Sequence, residues 1–223
     1  MNKSMAAVVV LTVAFLLIVP SLFAQNASEG SMGLAGYGIK GGLSESKFTG
    51  SDASSTFGSS LKYRPSGAAG AFVTYRLTDL FAASLEPMWV QRGAKYDISE
   101  ADGTHKFSTR VDYIDVPLLV KVSIPTNGNF HPDIFAGPDV AFRLDAKAKE
   151  DAPGFSQTAN VKNDFKSADF GIAFGVGTRY DIGMGAISLD GRYYAGLTKI
   201  DNTSSSRSIR NGDFLVLVGY SFK

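Results

Sequence analysis

The sequence predicts an all-β fold, an eight-stranded antiparallel up-and-down transmembrane β-barrel. Three observations predict it. From residue 33 onward, apolar and polar side chains alternate with a period of two rather than 3.6. The alternating segments are joined by connections that are long and short in turn, as in a membrane barrel with brief turns at one rim and larger loops at the other. Of 223 residues, 24 are Gly, and 12% are aromatic, the usage of barrels and sandwiches. With 44% hydrophobic and 19% charged residues, a disordered or coiled-coil chain is excluded.

The elements follow in order. Residues 1–24 read as a secretory signal peptide: Lys3 supplies the positive start, Ala6 to Val19 is an almost unbroken apolar run, and Pro20 ends it. That run of roughly 14 residues is short of the ~20 that span a bilayer as a helix. Ala24 suits the residue before the cut, and removal of Lys3 takes 22 basic residues to 21, equal to the 21 acidic ones. Residues 25–32 form a short periplasmic lead-in, and 33–223 the barrel domain. Alternation is read at about 34–43, 67–77, 81–96, 107–124, 133–147, 170–180, 187–198 and 213–222. In the last segment Phe214, Val216, Val218, Tyr220 and Phe222 share one face, with Leu215, Leu217, Gly219 and Ser221 on the other. The connections 44–65, 148–164 and 201–210 are long, 97–105 is intermediate, and 78–80, 125–131 and 182–185 are short. Pro87, Pro117 and Pro138 fall inside strands, where each removes a ladder donor, so bulges or unpaired carbonyls are expected.

A membrane barrel turns its apolar residues outward and keeps polar groups inside. The face opposite the bulky apolar residues carries Lys40, Arg76, Arg92, Lys121, Arg143, Arg179 and Arg192, and also Glu86, Asp115, Asp133, Asp139, Asp145, Asp169 and Asp190. Charges of both signs in so narrow a lumen are expected to pair. Outward aromatics fall in two groups, one near the short turns (Tyr75, Phe81, Tyr180, Tyr220, Phe222) and one towards the long loops (Trp89, Phe142, Phe170, Phe214), as interfacial girdles do.

Several motifs then carry a resemblance: Gly38-Ile39-Lys40-Gly41-Gly42-Leu43, the run from Tyr113 through Pro117 to Lys121, and Ala136-Gly137-Pro138. Asp169-Phe170-Gly171-Ile172 through Gly177, Arg192-Tyr193-Tyr194-Ala195-Gly196-Leu197-Thr198 and the ending Gly219-Tyr220-Ser221-Phe222 complete the set. In this order the chain resembles the small outer-membrane β-barrel proteins of diderm bacteria, often labelled "porin family", with an architecture of the OmpA/OmpX kind. The resemblance implies an eight-stranded barrel in the cell outer membrane. It also implies contacts with outer-membrane lipid, periplasmic chaperones and the barrel-assembly machinery, and a C-terminal assembly signal at Tyr220 and Phe222. Lys223 departs from the pattern, in which the terminal aromatic is usually last.

No enzymatic site is expected. The chain has no Cys, which removes thiol chemistry and cysteine metal sites. Its two histidines, His105 and His131, are assigned to opposite ends of the barrel and cannot cooperate. The glycines of 171–177 lie within an alternating strand, with no following helix and no P-loop Lys-Ser/Thr, so they read as small inward residues that make room for bulky neighbours. Asp97, Glu100 and Asp102 read as a solvated cluster rather than a Ca²⁺ site. No cofactor or metal is expected, and a net charge of +1 leaves no footprint for nucleic acid. The expected role is structural or surface interaction through an unknown extracellular ligand held by the loops, with a charge-filled lumen that is not a general diffusion pore. A narrow ion channel and a soluble lipocalin-like barrel remain as alternatives.

Overall fold

The computed structural model describes residues 32–53, 61–100, 103–203 and 207–222; the expected signal peptide, most of the lead-in and Lys223 lie outside them. The strands are β1 (Gly33–Thr49), β2 (Arg64–Arg76), β3 (Phe81–Leu85), β4 (Met88–Glu100), β5 (Gly103–Ser123), β6 (Phe130–Ala152), β7 (Phe155–Asn160), β8 (Ala168–Asp181), β9 (Gly185–Gly196) and β10 (Arg210–Phe222). All pair antiparallel, and β1 closes on β10 from Tyr37 opposite Phe222 to Thr49 opposite Arg210. Together β3 and β4 occupy one place between β2 and β5, while β7 pairs only with β6 among the described residues. The ring therefore has eight members, as the alternation predicts, and β7 is an added hairpin arm. Closure leaves no free edge in the ring.

Proline explains the division of one strand into β3 and β4. Pro87 has no N–H to give, so the ladder lapses at Glu86-Pro87, yet the register resumes unchanged: Val73 faces Leu85 and Gly70 faces Met88. Pro117 and Pro138 also stay in register, opposite Asp139 and Ile172. The prolines thus interrupt donors without making bulges. The register shifts lie elsewhere, between Leu34 and Gly36 and across from Asp112 and Tyr113, where Leu144 is the extra residue.

The short turns stand where expected. Thr78 Oγ1 accepts from the backbone of Leu80 and Phe81, and Gly183 adopts φ +82°, a conformation that favours glycine. The long connections differ from expectation. β1 runs on to Thr49, β4 and β5 stay paired as far as Glu100 opposite Gly103, and the region 148–164 contains the β6–β7 hairpin. Beyond the bilayer both faces of a strand become polar, so the apolar alternation fades while the backbone ladder continues. The result is a four-stranded arm, β4–β5–β6–β7, rising from the long-loop rim.

The two faces are sorted as in a membrane barrel. Leu43, Val176 and Val218 are more than half exposed, whereas their inward neighbours Ser44 and Leu217 are buried. The outward aromatics include Trp89, Phe170 and Phe214 as well as Tyr75, Phe81, Tyr180 and Phe222. Gly171 and Gly175 are inward and crowded: a Cβ would lie 2.5 Å from the Tyr194 ring and 2.9 Å from the Phe135 ring, respectively. This is the packing reason for the glycine run.

Candidate functional site: the lumen and its two mouths

Two ionic clusters are stacked along the barrel axis. The one nearer the short turns centres on Glu86. Its Oε2 accepts from Lys40 Nζ at 2.9 Å and Arg192 Nη2 at 2.5 Å, while Oε1 accepts from Ser84 Oγ at 2.9 Å and faces Lys121 Nζ at 3.5 Å. Lys40 also donates to Asp190 Oδ2 at 2.8 Å, and Arg192 lies 3.6 Å from that oxygen. Three cations thus share two carboxylates. The contacts of Lys40 with Glu86 and Asp190 and of Arg192 with Glu86 reach beyond neighbouring strands: Lys40 is on β1, Arg192 and Asp190 on β9, and Glu86 on the far side of β2.

The second cluster centres on Arg92, which is fully buried. Its guanidinium makes a bidentate pair with Asp115, places Nε 3.4 Å from Asp213 Oδ2, and lies 3.8 Å from the Tyr194 ring centroid. Such stacking suits a flat, weakly hydrated cation. Asp213 Oδ1 accepts from Ser44 Oγ at 2.7 Å. Next to it, Asp169 is held by neutral donors, Tyr194 Oη at 3.0 Å, Thr198 Oγ1 at 2.6 Å and Asn211 Nδ2 at 2.8 Å. Asp139 is buried there too, with Oδ1 unpartnered. The two signs are unevenly spread along the axis: cations dominate the short-turn cluster and carboxylates the other.

The remaining sequence-derived residues separate. Asp133, Arg76 and Arg179 line the short-turn mouth, and Arg143 stands opposite Tyr113 with Nε and Nη1 shielded and unpartnered. Asp145, expected in the lumen, does not face it. The extra residue Leu144 reverses the parity of β6, so Ala146 joins the interior while Asp145 turns out and pairs with Lys147 at 3.3 Å. A one-residue bulge re-aims every later side chain. Asp213 is a further inward carboxylate that the sequence reading missed, although the period of two through Leu215 and Leu217 marks it as inward. Tyr113, Tyr194 and Asn211, which complete the polar interior, share this parity signal on their own strands. Tyr220 and Phe222 sit at the closure seam, their rings edge-on at 5.2 Å, with Tyr37 at 5.8 Å from Phe222.

The long-loop mouth is closed by an apolar cap. Phe48, Val111, Tyr113, Ala146, Phe165 and Ile200 pack in one buried cluster that also contains Ile209. The loops are tied across it by hydrogen bonds from Lys166 N to Ile200 O (2.8 Å), Ile200 N to Ile209 O (2.9 Å) and Asn202 N to Asp164 O (2.8 Å). The short-turn mouth is open: a cavity of about 370 Å³ has Lys40, Lys121 and Asp190 at its floor. On the arm, Tyr96 stacks on Phe107 at 4.8 Å and His105 Nδ1 lies 3.3 Å from Glu150. On its other face Lys62 donates to Asp97 at 2.6 Å and holds that carboxyl below the usual range. The Glu100 side chain and Asp102 lie outside the described residues. His131, at the start of β6 rather than in a turn, lies 3.1 Å from Asp181 at the opposite end from His105.

Residues 23–202 match the model of a family described as outer membrane protein beta-barrel domain. Among solved structures, the chain is similar to OprG from Pseudomonas aeruginosa (16% identity, TM-score 0.48, covering 88% of this chain and 99% of that one). It is also similar to Neisserial surface protein A (12%, TM-score 0.45, covering 85% and 99%). The attachment invasion locus protein Ail of Yersinia pestis matches at 15% identity and TM-score 0.40, covering 85% and 99%. No curated protein matches the sequence.

Proposed function

Because this chain belongs to the outer membrane protein beta-barrel domain family, we propose that it is an integral outer-membrane protein with a plugged lumen and no enzymatic activity. In this reading it anchors a structured outer surface and is not a diffusion pore. The observation that carries it is the closure of the interior at two levels, by the fully buried Glu86 and Arg92 clusters and by the apolar cap at the long-loop mouth. A barrel of eight strands is just wide enough for side chains to fill. The β4–β5–β6–β7 arm, which stands clear of the ring, then provides the contact surface for an extracellular ligand, and Tyr220 and Phe222 serve recognition by the assembly machinery during insertion.

Two measurements test this. Single-channel recording in planar bilayers is expected to give little or no conductance from the wild type; a large, stable, ungated conductance would defeat the plugged reading. Cysteine labelling of intact cells is expected to succeed at Thr158→Cys on the arm and fail at Asn127→Cys in a short turn. The reverse pattern would invert the assigned orientation.

A further inference from the structure

The arm has two edges, and they are finished differently. At the β4 edge the backbone of Lys95 exchanges hydrogen bonds with that of Lys62, at 2.7 and 3.2 Å, and Lys95 and Asp97 place charge beside it. The β7 edge has none of this. Phe155 to Asn160 pairs with β6 without a register shift, and with no other strand among the described residues. All six residues are exposed, and none is charged or a proline. Natural edges are guarded by charge, proline or a bulge, because unpaired backbone groups recruit another strand.

Which groups are free follows from the hairpin. Ala152 and Phe155 flank the two-residue turn Pro153-Gly154 as a hydrogen-bonded pair, so Phe155, Gln157 and Ala159 direct their backbone groups to β6. Ser156, Thr158 and Asn160 direct theirs to the open side. A second β7 laid antiparallel, about a two-fold axis normal to the sheet, meets these donors and acceptors with its own. With the axis at Gln157, Ser156 pairs with Thr158 of the second copy. Phe155 then lies opposite the small Ala159 of that copy, with its Ala148 one strand further on. The row of Lys149 and Thr158 continues into the row of Ser156 and Asp151, so opposite charges flank the seam on both sides. Like charges share only the Glu150 rows, about 14 Å apart over three strand spacings, and each Glu150 has His105 at 3.3 Å. An axis at Thr158 would instead align Lys149 with its own copy and set Phe155 against the branched Val161.

We propose that β7 is a homotypic docking edge, to which a second copy of this chain adds its own β7 antiparallel, centred on Gln157, so that two arms become one continuous sheet. The contact is isologous and closes at two copies. It names a partner for the arm surface proposed above, yet it rests on the edge alone and holds on whichever side of the membrane the arm stands.

The chain has no Cys, so single-cysteine variants of the full barrel in detergent micelles report the register directly. Gln157→Cys is expected to form a disulfide-linked dimer under mild oxidation, since residues on the axis of such a pair have Cα atoms about 4.5 Å apart. Thr158→Cys is expected to stay free, since it stands two residues off its own copy, ~8 Å away and beyond disulfide reach. Sedimentation equilibrium of the wild type is expected to show a reversible dimer. Thr158→Pro, which removes an N–H on the open side and leaves the β6 ladder intact, is expected to weaken it about tenfold or more. Thr158→Lys, which puts charge on the edge, is expected to do the same. Heat-modified electrophoretic mobility reports whether each variant folds, and Thr158→Lys decides the matter should Thr158→Pro not fold. Equal cross-linking of the two cysteine variants, or a dimer indifferent to both Thr158 substitutions, would overturn the proposal. So would a wild type that stays monomeric, even one that captured an unrelated extended peptide on this edge. None of these results would touch the plugged-lumen reading, which conductance decides.

Discussion

Replacing Glu86 by glutamine is expected to lower the unfolding free energy of the barrel in lipid vesicles by about 3–5 kcal/mol, because it leaves buried charges uncompensated. Glu86 has Lys40 at 2.9 Å and Arg192 at 2.5 Å, both shielded from water, and the partly exposed Lys121 at 3.5 Å. Once it is neutral, only Asp190 and the more distant Asp133 are left to balance three cations. Each had been taken from water on the strength of a carboxylate partner, so their repulsion now opposes closure of the ring. The double substitution Glu86→Gln with Lys40→Met removes one of the stranded cations and is expected to recover part of the loss. A denaturant titration of the wild type, both single variants and the double variant forms the cycle that isolates this coupling. Unfolding midpoints for Glu86→Gln within error of the wild type would show that the cluster does not hold the barrel together. An appearance of ion conductance in Glu86→Gln alone would further identify this cluster as the plug.

The second large effect belongs to the lipid face. Val218 is 56% exposed and lies in the middle of the apolar run of β10. Arginine there is expected to destabilise the barrel by about 2–4 kcal/mol, the range for a cation near the bilayer midplane. Tyr180→Arg, at the end of β8 next to a short turn, is expected to lose only about 0–1 kcal/mol, since its side chain reaches the interface. Refolding titrations into vesicles measure both. Equal losses at the two positions would contradict a band of lipid-facing residues with graded depth.

The ring and the division between its lipid and lumen faces are legible in the sequence. A period of two through Phe214, Val216, Val218 and Tyr220 dictates which face of β10 meets lipid, because adjacent side chains on a strand must point in opposite directions. The same rule places Lys40, Glu86, Arg92 and Arg192 inside without reference to their partners. It failed at Asp145, where one extra residue in a strand reverses parity without leaving a mark in hydrophobicity; Asp213 obeys it, on the inward face of Leu215 and Leu217, at the polar start of the segment. Tertiary structure decided the rest. Which carboxylate meets which cation depends on reach across the lumen, so Glu86 pairs with Lys40 and Arg192 rather than with Arg92 on its own segment. The cap formed by Phe48, Phe165, Ile200 and Ile209 draws single apolar residues from segments far apart in the chain. Phe48 continues the inward face of β1 beyond Ser44 and Ser46, and the other three stand alone outside the strands, with no apolar periodicity to announce them; they become a core only when ring closure brings these segments over one mouth.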